Sequence, residues 1–322
     1  MSDGLTTFVC IGAAHLDFKA TALSPILLRT SVPVKMESVL GGVARNIAEH
    51  LAALRQRVAL VSRVGEDPEG DSILRACKHL GIDVSGVSRS ASEPSAWCAF
   101  LLTADNDMFI GVAATAIYDG LTPDIVLQAI PQSRRSVWVM DTSLPTATIT
   151  AVANAATPDV MVAATSSSYA KAPRVTSALG RIDFLFVNKE EAEVISGLKI
   201  TQGHDVERVA REILNKGPKN VVITLGSAGA FVLNETTGVY LPAERFTETD
   251  TIGAGDALVA GFLVGFIETA SIDSSLRWGM AASAFAIKRR ASSEHGVETI
   301  RLARVAGLMT SMRSVPDSVK LQ

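Results

Sequence analysis

The stretch Asp250-Thr251-Ile252-Gly253-Ala254-Gly255-Asp256-Ala257 decides the fold, and an apolar segment follows it as far as Phe266. Two glycines and an alanine leave the backbone N–H groups of this turn unobstructed. The positive dipole end of a following helix adds to those groups, so the sequence predicts an anion site that needs no lysine. The segment 257–266 is apolar on all sides, which predicts a buried helix that carries Asp256 to the centre of the molecule.

Asp256 has two interpretations. As a capping or dipole-stabilising residue at the start of a helix it would be ordinary. Alternatively, its carboxylate accepts the proton of an alcohol while the adjacent amides hold a phosphoryl group. Phosphoryl transfer requires this pairing, because alignment and charge stabilisation supply most of the catalysis.

Outward from this segment, apolar runs of strand length alternate with periodic segments of helix length along most of the chain. The runs are continuous in valine, isoleucine and leucine, which indicates strands covered on both faces and therefore a mostly parallel sheet. We predict strands at 8–13, 58–62, 136–140, 160–163, 184–187 and 220–224, and helices at 43–54, 69–80, 145–156 and 205–216. No linker or repeat divides the sequence, so we expect residues 1–322 to form one α/β domain.

Two segments, about 18–36 and 96–117, break this alternation. They have the pattern of strand pairs without an intervening helix, and 104–107 has the composition of a hairpin turn. Both follow early strand–helix units, so we predict a small second sheet, inserted into the main domain as a lid over a cleft. Its unpaired strand edges predict a homodimer contact.

Composition excludes several classes of function. Of the 322 residues, 48% are hydrophobic and 20% are charged, and the net charge of −3 provides no global attraction for nucleic acid or anionic lipid. Cys10, Cys77 and Cys98 have neither disulfide-framework nor metal-site spacing, so we expect reduced, mostly buried thiols. The N-terminus lacks a basic signal-peptide region, and the longest apolar run, 257–267, is shorter than the roughly 20 residues that span a bilayer. We expect a soluble, cytoplasmic protein.

The motif Asp-Thr-x-Gly-Ala-Gly-Asp at 250–256 resembles the C-terminal signature of the ribokinase/PfkB carbohydrate and nucleoside kinases. Other markers of that family lie in the expected order along nearly the whole chain. The resemblance implies a ribokinase-like three-layer α/β/α fold with a small β-sheet lid. It also implies ATP-dependent phosphorylation of an alcohol, with Asp256 as the catalytic base and the amides of Gly253, Ala254 and Gly255 as the anion hole.

Two further segments have the features of a substrate site. Gly41-Gly42-Val43-Ala44-Arg45-Asn46 precedes an amphipathic helix; its glycines allow a ligand to approach closely, and Asn46 offers a donor and an acceptor to a sugar hydroxyl. Asp17 closes the first strand, and an acidic residue at the carboxyl end of a strand suits a pair of vicinal hydroxyls. The family resemblance implies that Gly41, Gly42, Asn46 and Asp17 belong to the substrate site.

The resemblance also implies a nucleotide site. Asn188-Lys189-Glu190-Glu191 matches an Asn-x-x-Glu element, in which Asn188 contacts the phosphates and Glu191 organises Mg²⁺ through water. A glycine-rich turn that is not a Walker A motif lines the nucleotide with Thr224, Gly226 and Gly229. Relatives often bind a monovalent cation such as K⁺ near the positions of Asp250 and Ile252.

Within the family, the stretch 41–54 and the opening Ile11-Gly12-Ala13-Ala14-His15-Leu16-Asp17 look most like pseudouridine kinases. Two departures bear on the substrate. Ala113-Ala114-Thr115-Ala116-Ile117-Tyr118 replaces a polar element that faces the base in those relatives, and alanine cannot hydrogen-bond a pyrimidine. Ala163-Ala164-Thr165 occupies a strand end where relatives often have an aspartate. Either another group contacts the base, or the substrate is a different nucleoside or a plain sugar, as for a ribokinase or fructokinase.

Two alternatives belong to other functional classes. The first alternative is a non-catalytic sugar- or nucleotide-binding regulator on the same fold. Loss of Asp256, the anion hole or Asn188 would favour it, and all three are present. A dinucleotide-dependent oxidoreductase would need a glycine fingerprint in the first strand–helix turn, which Gly12-Ala13-Ala14-His15 does not supply. The sequence therefore favours a kinase for a small-molecule substrate, with no nucleic-acid or membrane partner.

Overall fold

The apolar runs form two sheets in the computed structural model, which describes residues 6–105, 107–131, 133, 135–244, 253–291, 306–307, 309, 311–319 and 321. The strands are β1 Thr7–Ile11, β2 His15–Ala22, β3 Val34–Gly41, β4 Arg57–Gly65, β5 Asp83–Ser90, β6 Trp97–Leu102, β7 Met108–Ala114, β8 Ser136–Asp141, β9 Val160–Thr165, β10 Phe184–Asn188, β11 Asn220–Thr224, β12 Ala230–Asn234 and β13 Gly238–Leu241. The α-helices are α1 Val43–Ala53, α2 Pro68–His79, α3 Pro123–Ala129, α4 Thr146–Ala155, α5 Lys189–Ser196, α6 Gly203–Leu214, α7 Ala254–Thr269 and α8 Ile272–Ala291.

The larger sheet has nine strands in the order β13-β12-β11-β10-β9-β8-β1-β4-β5. The strand pairs from β5 to β11 are parallel, and the β11–β12 and β12–β13 pairs are antiparallel. The mostly parallel sheet predicted from the continuous apolar runs is therefore confirmed. Parallel neighbours need crossover connections, and helices supply most of them.

Helices cover the sheet on both faces and make three layers. In β1, Phe8 and Cys10 pack with α1, α2, α7 and α8, whereas Val9 and Ile11 pack in the layer that contains α3 to α6. Every residue from 257 to 265 in α7 is buried, and α7 packs against α8 and α1. The apolar helix behind the 250–257 stretch is thus internal, as its composition predicted.

The smaller sheet has the order β3-β2-β6-β7, which confirms the predicted second sheet. Its first strand pair is longer than the predicted segment 18–36, since β2 begins at His15 and β3 ends at Gly41. The prediction that Asp17 closes the first strand is wrong: β1 ends at Ile11, the chain bends at Gly12, and Asp17 lies inside β2 of the smaller sheet. The β6–β7 pair lies within the predicted segment 96–117. The use of this sheet as a lid stays a prediction.

Two of the three thiols are buried, as predicted. Cys10 and Cys77 are 0% and 1% exposed, whereas Cys98 of β6 is partly exposed. Cys98 pairs in register with Asp17 of β2.

Over the ranges that the structure describes, no helix combines the length and the apolar character needed to cross a membrane.

Candidate active site

Polar residues end four neighbouring parallel strands at one edge of the larger sheet. Asp141 ends β8, Thr165 ends β9, Asn188 ends β10 and Thr224 ends β11. Asn188 and Thr224 are register partners, so these two predicted nucleotide-site residues lie side by side. Ligand sites in open α/β sheets lie outside the carboxyl ends of the strands, so this edge is the expected place for one.

The N-terminus of α7 has the features of an anion site. Gly253 precedes the helix in a left-handed conformation with φ 79°, and no side chain caps the helix among the described residues. The backbone N–H groups of Ala254 and Gly255 likewise find no hydrogen-bond acceptor among the described residues. A Cβ at Gly255 would meet no described atom within 4 Å, so the described residues leave the first turn of the helix uncovered. The predicted cation residues, Asp250 and Ile252, lie outside the described residues.

One hydrogen bond joins the two motifs that carry the predicted chemistry. Asn46 Nδ2 donates to Asp256 Oδ2 over 2.8 Å, although the residues are 210 positions apart. Asn46 lies near the start of α1 and Asp256 near the start of α7, and these helices pack together. The structure thus brings the predicted base beside the predicted substrate amide.

Arg45 fixes the orientation of the Asn46 amide. The Arg45 guanidinium donates to the carbonyl oxygens of Leu40 and Gly41 at 3.0 and 3.1 Å, to Glu49 at 2.7 Å, and to Asn46 Oδ1. Because Oδ1 accepts from Arg45, the amide presents Nδ2 to Asp256. Sequence reasoning missed Arg45, and the one signal was a charged residue inside the glycine–asparagine motif.

Asp17 lies against the glycine pair at the end of β3. A Cβ at position 41 would be 2.2 Å from Asp17 Oδ2, so only glycine leaves room for the carboxylate. Asp17 is 8% exposed, and its Oδ1 accepts no hydrogen bond of good geometry from the described residues. Its one near polar contact among them is His15 Nε2 at 3.2 Å, so a substrate hydroxyl that donates to this oxygen would add a well-aligned hydrogen bond at a buried carboxylate.

His15 lies between Asp17 and Cys98. Its Nε2 is 3.2 Å from Asp17 Oδ1 and 3.6 Å from Cys98 Sγ. Burial lowers the pKa of His15, but the contacts with Asp17 and Cys98 raise it and prevail, so that the pKa is about 9. Near neutral pH, His15 is therefore a cationic neighbour of Asp17.

Asp141 is a buried hydrogen-bond acceptor that holds the backbone around the site, and sequence reasoning missed it. It is 1% exposed, and its carboxyl oxygens accept hydrogen bonds from the backbone N–H groups of Ala13 at 2.8 Å, Ala44 at 3.1 Å and Ser143 at 2.7 Å. Gly42 cannot cap α1 with a side chain, so Asp141 satisfies a free N–H of its first turn from another element. The available signal was an acidic residue at a strand end, the same signal that identified Asp17.

Replacing Gly42 by alanine should lower the free energy of unfolding by more than the same change at Gly81. Both glycines have positive φ, 97° and 76°, so each substitution adds backbone strain on the order of 1–2 kcal/mol. A Cβ at Gly42 would lie 2.5 Å from the carbonyl oxygen of Ala13, whereas a Cβ at Gly81 would meet no described atom within 4 Å. Denaturant titration measures both losses, and equal values would show that the contact with Ala13 has no energetic importance.

Asn188 and Glu191 form a capping box at the start of α5. Glu191 N–H donates to Asn188 Oδ1 at 2.8 Å, and Asn188 N–H donates to Glu191 Oε2 at 2.9 Å. Burial raises the pKa of Glu191, and hydrogen bonds from Asn188 and Ser166 oppose this shift. Because these oxygens already accept hydrogen bonds, the pair fits Mg²⁺ held through water better than Mg²⁺ bound directly.

Glycine suits the two positions of the predicted nucleotide turn for different structural reasons. Gly226 has φ 58°, and a Cβ there would meet no described atom within 4 Å, so the described residues leave this glycine uncovered. At Gly229, with φ 109°, a Cβ would be 2.1 Å from the carbonyl oxygen of Leu241. Close packing of β13 therefore explains Gly229, and Gly226 is the better placed of the two to approach a ligand.

Comparisons with known proteins identify the family of this chain. The family model for the pfkB family carbohydrate kinases matches residues 5–300. The chain is 27% identical over 283 residues to the pseudouridine kinase of Escherichia coli (strain K12), covering 87% of this chain and 90% of that protein. It is 26% identical over 251 residues to the ribokinase of Haemophilus influenzae, covering 78% and 81%. A solved carbohydrate kinase from Agrobacterium tumefaciens superposes with a TM-score of 0.79 at 26% identity, covering 95% of this chain and 99% of that one.

Proposed function

This chain belongs to the pfkB family of carbohydrate kinases and is an ATP-dependent sugar or nucleoside kinase, and from this premise we propose that Asp256 is its catalytic base. One observation carries the proposal, the 2.8 Å hydrogen bond from Asn46 Nδ2 to Asp256 Oδ2. With this bond, a hydroxyl bound beside the Asn46 amide lies within reach of the Asp256 carboxylate. A general base needs that proximity before any other property.

In the proposed reaction, Asp256 accepts the proton of a substrate hydroxymethyl group as the hydroxyl oxygen attacks the γ-phosphorus of ATP and ADP leaves. The amides of Gly253, Ala254 and Gly255 stabilise negative charge on the phosphoryl group during transfer. Fixed N–H donors are effective here because they need no reorganisation as the charge develops. Arg45 acts as a positioning residue, since it holds Asn46 and so holds the carboxylate in place.

We assign the carboxyl edge of the sheet to ATP. The residues beside the nucleotide in this proposal are Asn188, Thr224, Gly226 and Gly229. Glu191 would hold Mg²⁺ through water, and the ion, when bound, neutralises charge on the phosphate oxygens. K⁺ near Asp250 and Ile252 is a further proposal that rests on the sequence, and comparison of rates in K⁺ and Na⁺ buffers tests it.

The proposed substrate is a pseudouridine-like nucleoside. The 41–54 stretch and the similarity to the pseudouridine kinase of Escherichia coli support this choice. The alanines at 113 and 114 cannot contact a base by hydrogen bonding, but Lys171 Nζ lies 3.4 Å from the hydroxyl of Thr115 and brings a donor to this segment. If no group contacts the base, the favoured alternative is a plain sugar, as for the ribokinase of Haemophilus influenzae.

A coupled assay of ADP release tests the substrate proposal. The acceptors are pseudouridine, uridine, cytidine, adenosine, ribose and fructose at matched concentrations. We expect the highest kcat/KM with pseudouridine. A higher kcat/KM with ribose or fructose would indicate that the substrate is a sugar. No ADP release with any of the six acceptors would favour a non-catalytic regulator.

Asp17→Asn should raise KM for the acceptor by about 10–100-fold, with a smaller change in KM for ATP. A hydrogen bond to a charged group contributes roughly 1.5–3 kcal/mol and a neutral one roughly 0.5–1.5 kcal/mol, so the loss of charge weakens each of the two bonds to a pair of vicinal hydroxyls. Steady-state kinetics in each substrate measure the change. Asp105→Asn, an exposed carboxyl on the hairpin between β6 and β7, is the matched control. An unchanged acceptor KM in Asp17→Asn would remove Asp17 from the substrate site.

The proposed oligomer is a homodimer formed through the smaller sheet. Every residue of the edge strand β7 is exposed, including Met108 at 67%, Phe109 at 50% and Ile110 at 51%. An exposed apolar edge strand favours pairing with another chain. Sedimentation should give a dimer, and Ile110→Glu should shift it to a monomer. Ile125→Glu, at an exposed isoleucine of α3, should leave the dimer intact; a monomeric parent protein would end this proposal.

A further inference from the structure

His15, Asp17 and Cys98 place one imidazole nitrogen, one carboxylate oxygen and one thiol sulfur within 4.8 Å of one another. Strand register produces the cluster. His15 and Asp17 are two residues apart in β2 and so lie on one face of the smaller sheet, and Cys98 of β6 is the register partner of Asp17. No other group of three such side chains occurs in the ranges that the structure describes.

The two separations from His15 Nε2 match the ligand separations of a tetrahedral zinc site. Zinc–ligand bonds of about 2.0–2.3 Å at tetrahedral angles put nitrogen and oxygen ligands about 3.4 Å apart, and nitrogen and sulfur ligands about 3.6 Å apart. Here His15 Nε2 is 3.2 Å from Asp17 Oδ1 and 3.6 Å from Cys98 Sγ. Asp17 Oδ1 is buried, and its contact with His15 Nε2 is not an aligned hydrogen bond, so a metal ion that replaces the Nε2 proton would have both atoms as ligands.

Tyr118 fixes the imidazole in the orientation that zinc requires. The Tyr118 hydroxyl donates its proton to the carbonyl oxygen of Ala14 at 2.9 Å, and accepts the Ala14 N–H at 3.0 Å. Its oxygen is 3.2 Å from His15 Nδ1. Since a hydroxyl has one proton, Nδ1 is the donor in this last contact. Nε2 faces Asp17 and Cys98, and it becomes a ligand when zinc takes the place of its proton. Zinc-bound histidines are held by such a bond from the second ring nitrogen.

We propose that His15, Asp17 and Cys98 bind one Zn²⁺ ion, and that zinc at this position blocks the acceptor site. A thiolate–imidazole–carboxylate set favours zinc over Mg²⁺, which prefers oxygen ligands. Three protein ligands leave a fourth position for water. The ion engages Asp17 Oδ1, so this carboxylate no longer accepts hydrogen bonds from a substrate hydroxyl. The inhibitory consequence rests on the substrate role proposed for Asp17; the binding of zinc does not.

Zinc binding to the metal-free full-length chain tests the site directly. Competition against a chromophoric chelator should give one ion per chain. Cys98→Ala and His15→Gln should each weaken affinity by more than about 100-fold, because even partners outside the ligand set typically contribute about 10–100-fold. Cys77→Ala, at a buried thiol in α2, is the matched control and should bind zinc as the parent does. Co²⁺ in place of zinc should give a sulfur-to-cobalt charge-transfer band that Cys98→Ala lacks.

The outcomes separate this proposal from the proposed function. Absence of one-to-one binding, undiminished affinity in Cys98→Ala, or a cobalt spectrum without the sulfur band would each overturn the zinc site. If a variant fails to fold in a thermal unfolding check, the cobalt spectrum of the parent protein decides. Buffered free Zn²⁺ should lower the rate of the parent by raising KM for the acceptor, with each variant compared with its own zinc-free rate. If the protein binds zinc but has no kinase activity, the proposed function is refuted and the zinc site stands.

Discussion

Asp256→Asn should lower kcat by about 10²–10⁴-fold, the range that a positioned general base contributes. The variant should fold normally and bind ATP, because an asparagine at 256 can still accept the hydrogen bond from Asn46 Nδ2 through its amide oxygen. The neutral amide cannot take the proton of the attacking hydroxyl. Steady-state kinetics measure the loss, with nucleotide affinity measured separately by titration.

The matched control is Glu268→Gln, an exposed carboxyl in the last turn of the same helix, α7. This change removes the same charge far from the site and should leave kcat nearly unchanged. If Asp256→Asn turned over substrate at the parent rate, Asp256 would be a capping residue and the base would have to be sought elsewhere. A large loss in both variants would indicate a general effect on α7 instead.

Asp141→Ala should lower the free energy of unfolding by about 3 kcal/mol or more. Three buried backbone N–H groups, those of Ala13, Ala44 and Ser143, lose their acceptor, and each buried donor left unsatisfied costs about 1–3 kcal/mol. Because Ala44 lies in the first turn of α1, the same change should disturb Asn46 and reduce kcat/KM. Denaturant titration and steady-state kinetics measure the two effects.

Asp83→Ala is the control for this stability prediction. Asp83 begins β5, is exposed, and accepts one exposed N–H, that of Ser85 at 2.9 Å. Water can satisfy that N–H after the substitution, so the loss of stability should be small. Equal losses at the two positions would mean that the buried acceptor is not what stabilises the first turn of α1.

The arrangement of the site follows from long-range packing that local patterns do not encode. Asp141 is an example, because its signal, an acidic residue after an apolar strand, also describes Asp17, which has a different role. Arg45 is another, since a charged residue near the start of an amphipathic helix usually faces solvent, yet this one is 5% exposed and holds Asn46. The roles of Asp141 and Arg45 could be assigned only once the structure showed which elements pack beside them.

The sequence alone determined the type of fold and several of the elements that carry the candidate site. Continuous apolar runs predicted the parallel sheet, an all-apolar segment predicted the buried helix α7, and the turn before it predicted unobstructed amides beside Asp256. The tertiary structure decided which side chains meet: Asn46 with Asp256 across 210 positions, and His15 and Asp17 with Cys98 through strand register. The physical reason is the separation along the chain of the residues that interact. Periodicity and turn composition depend on residues near one another in the chain, whereas these contacts depend on how separate elements pack and in what register they pair.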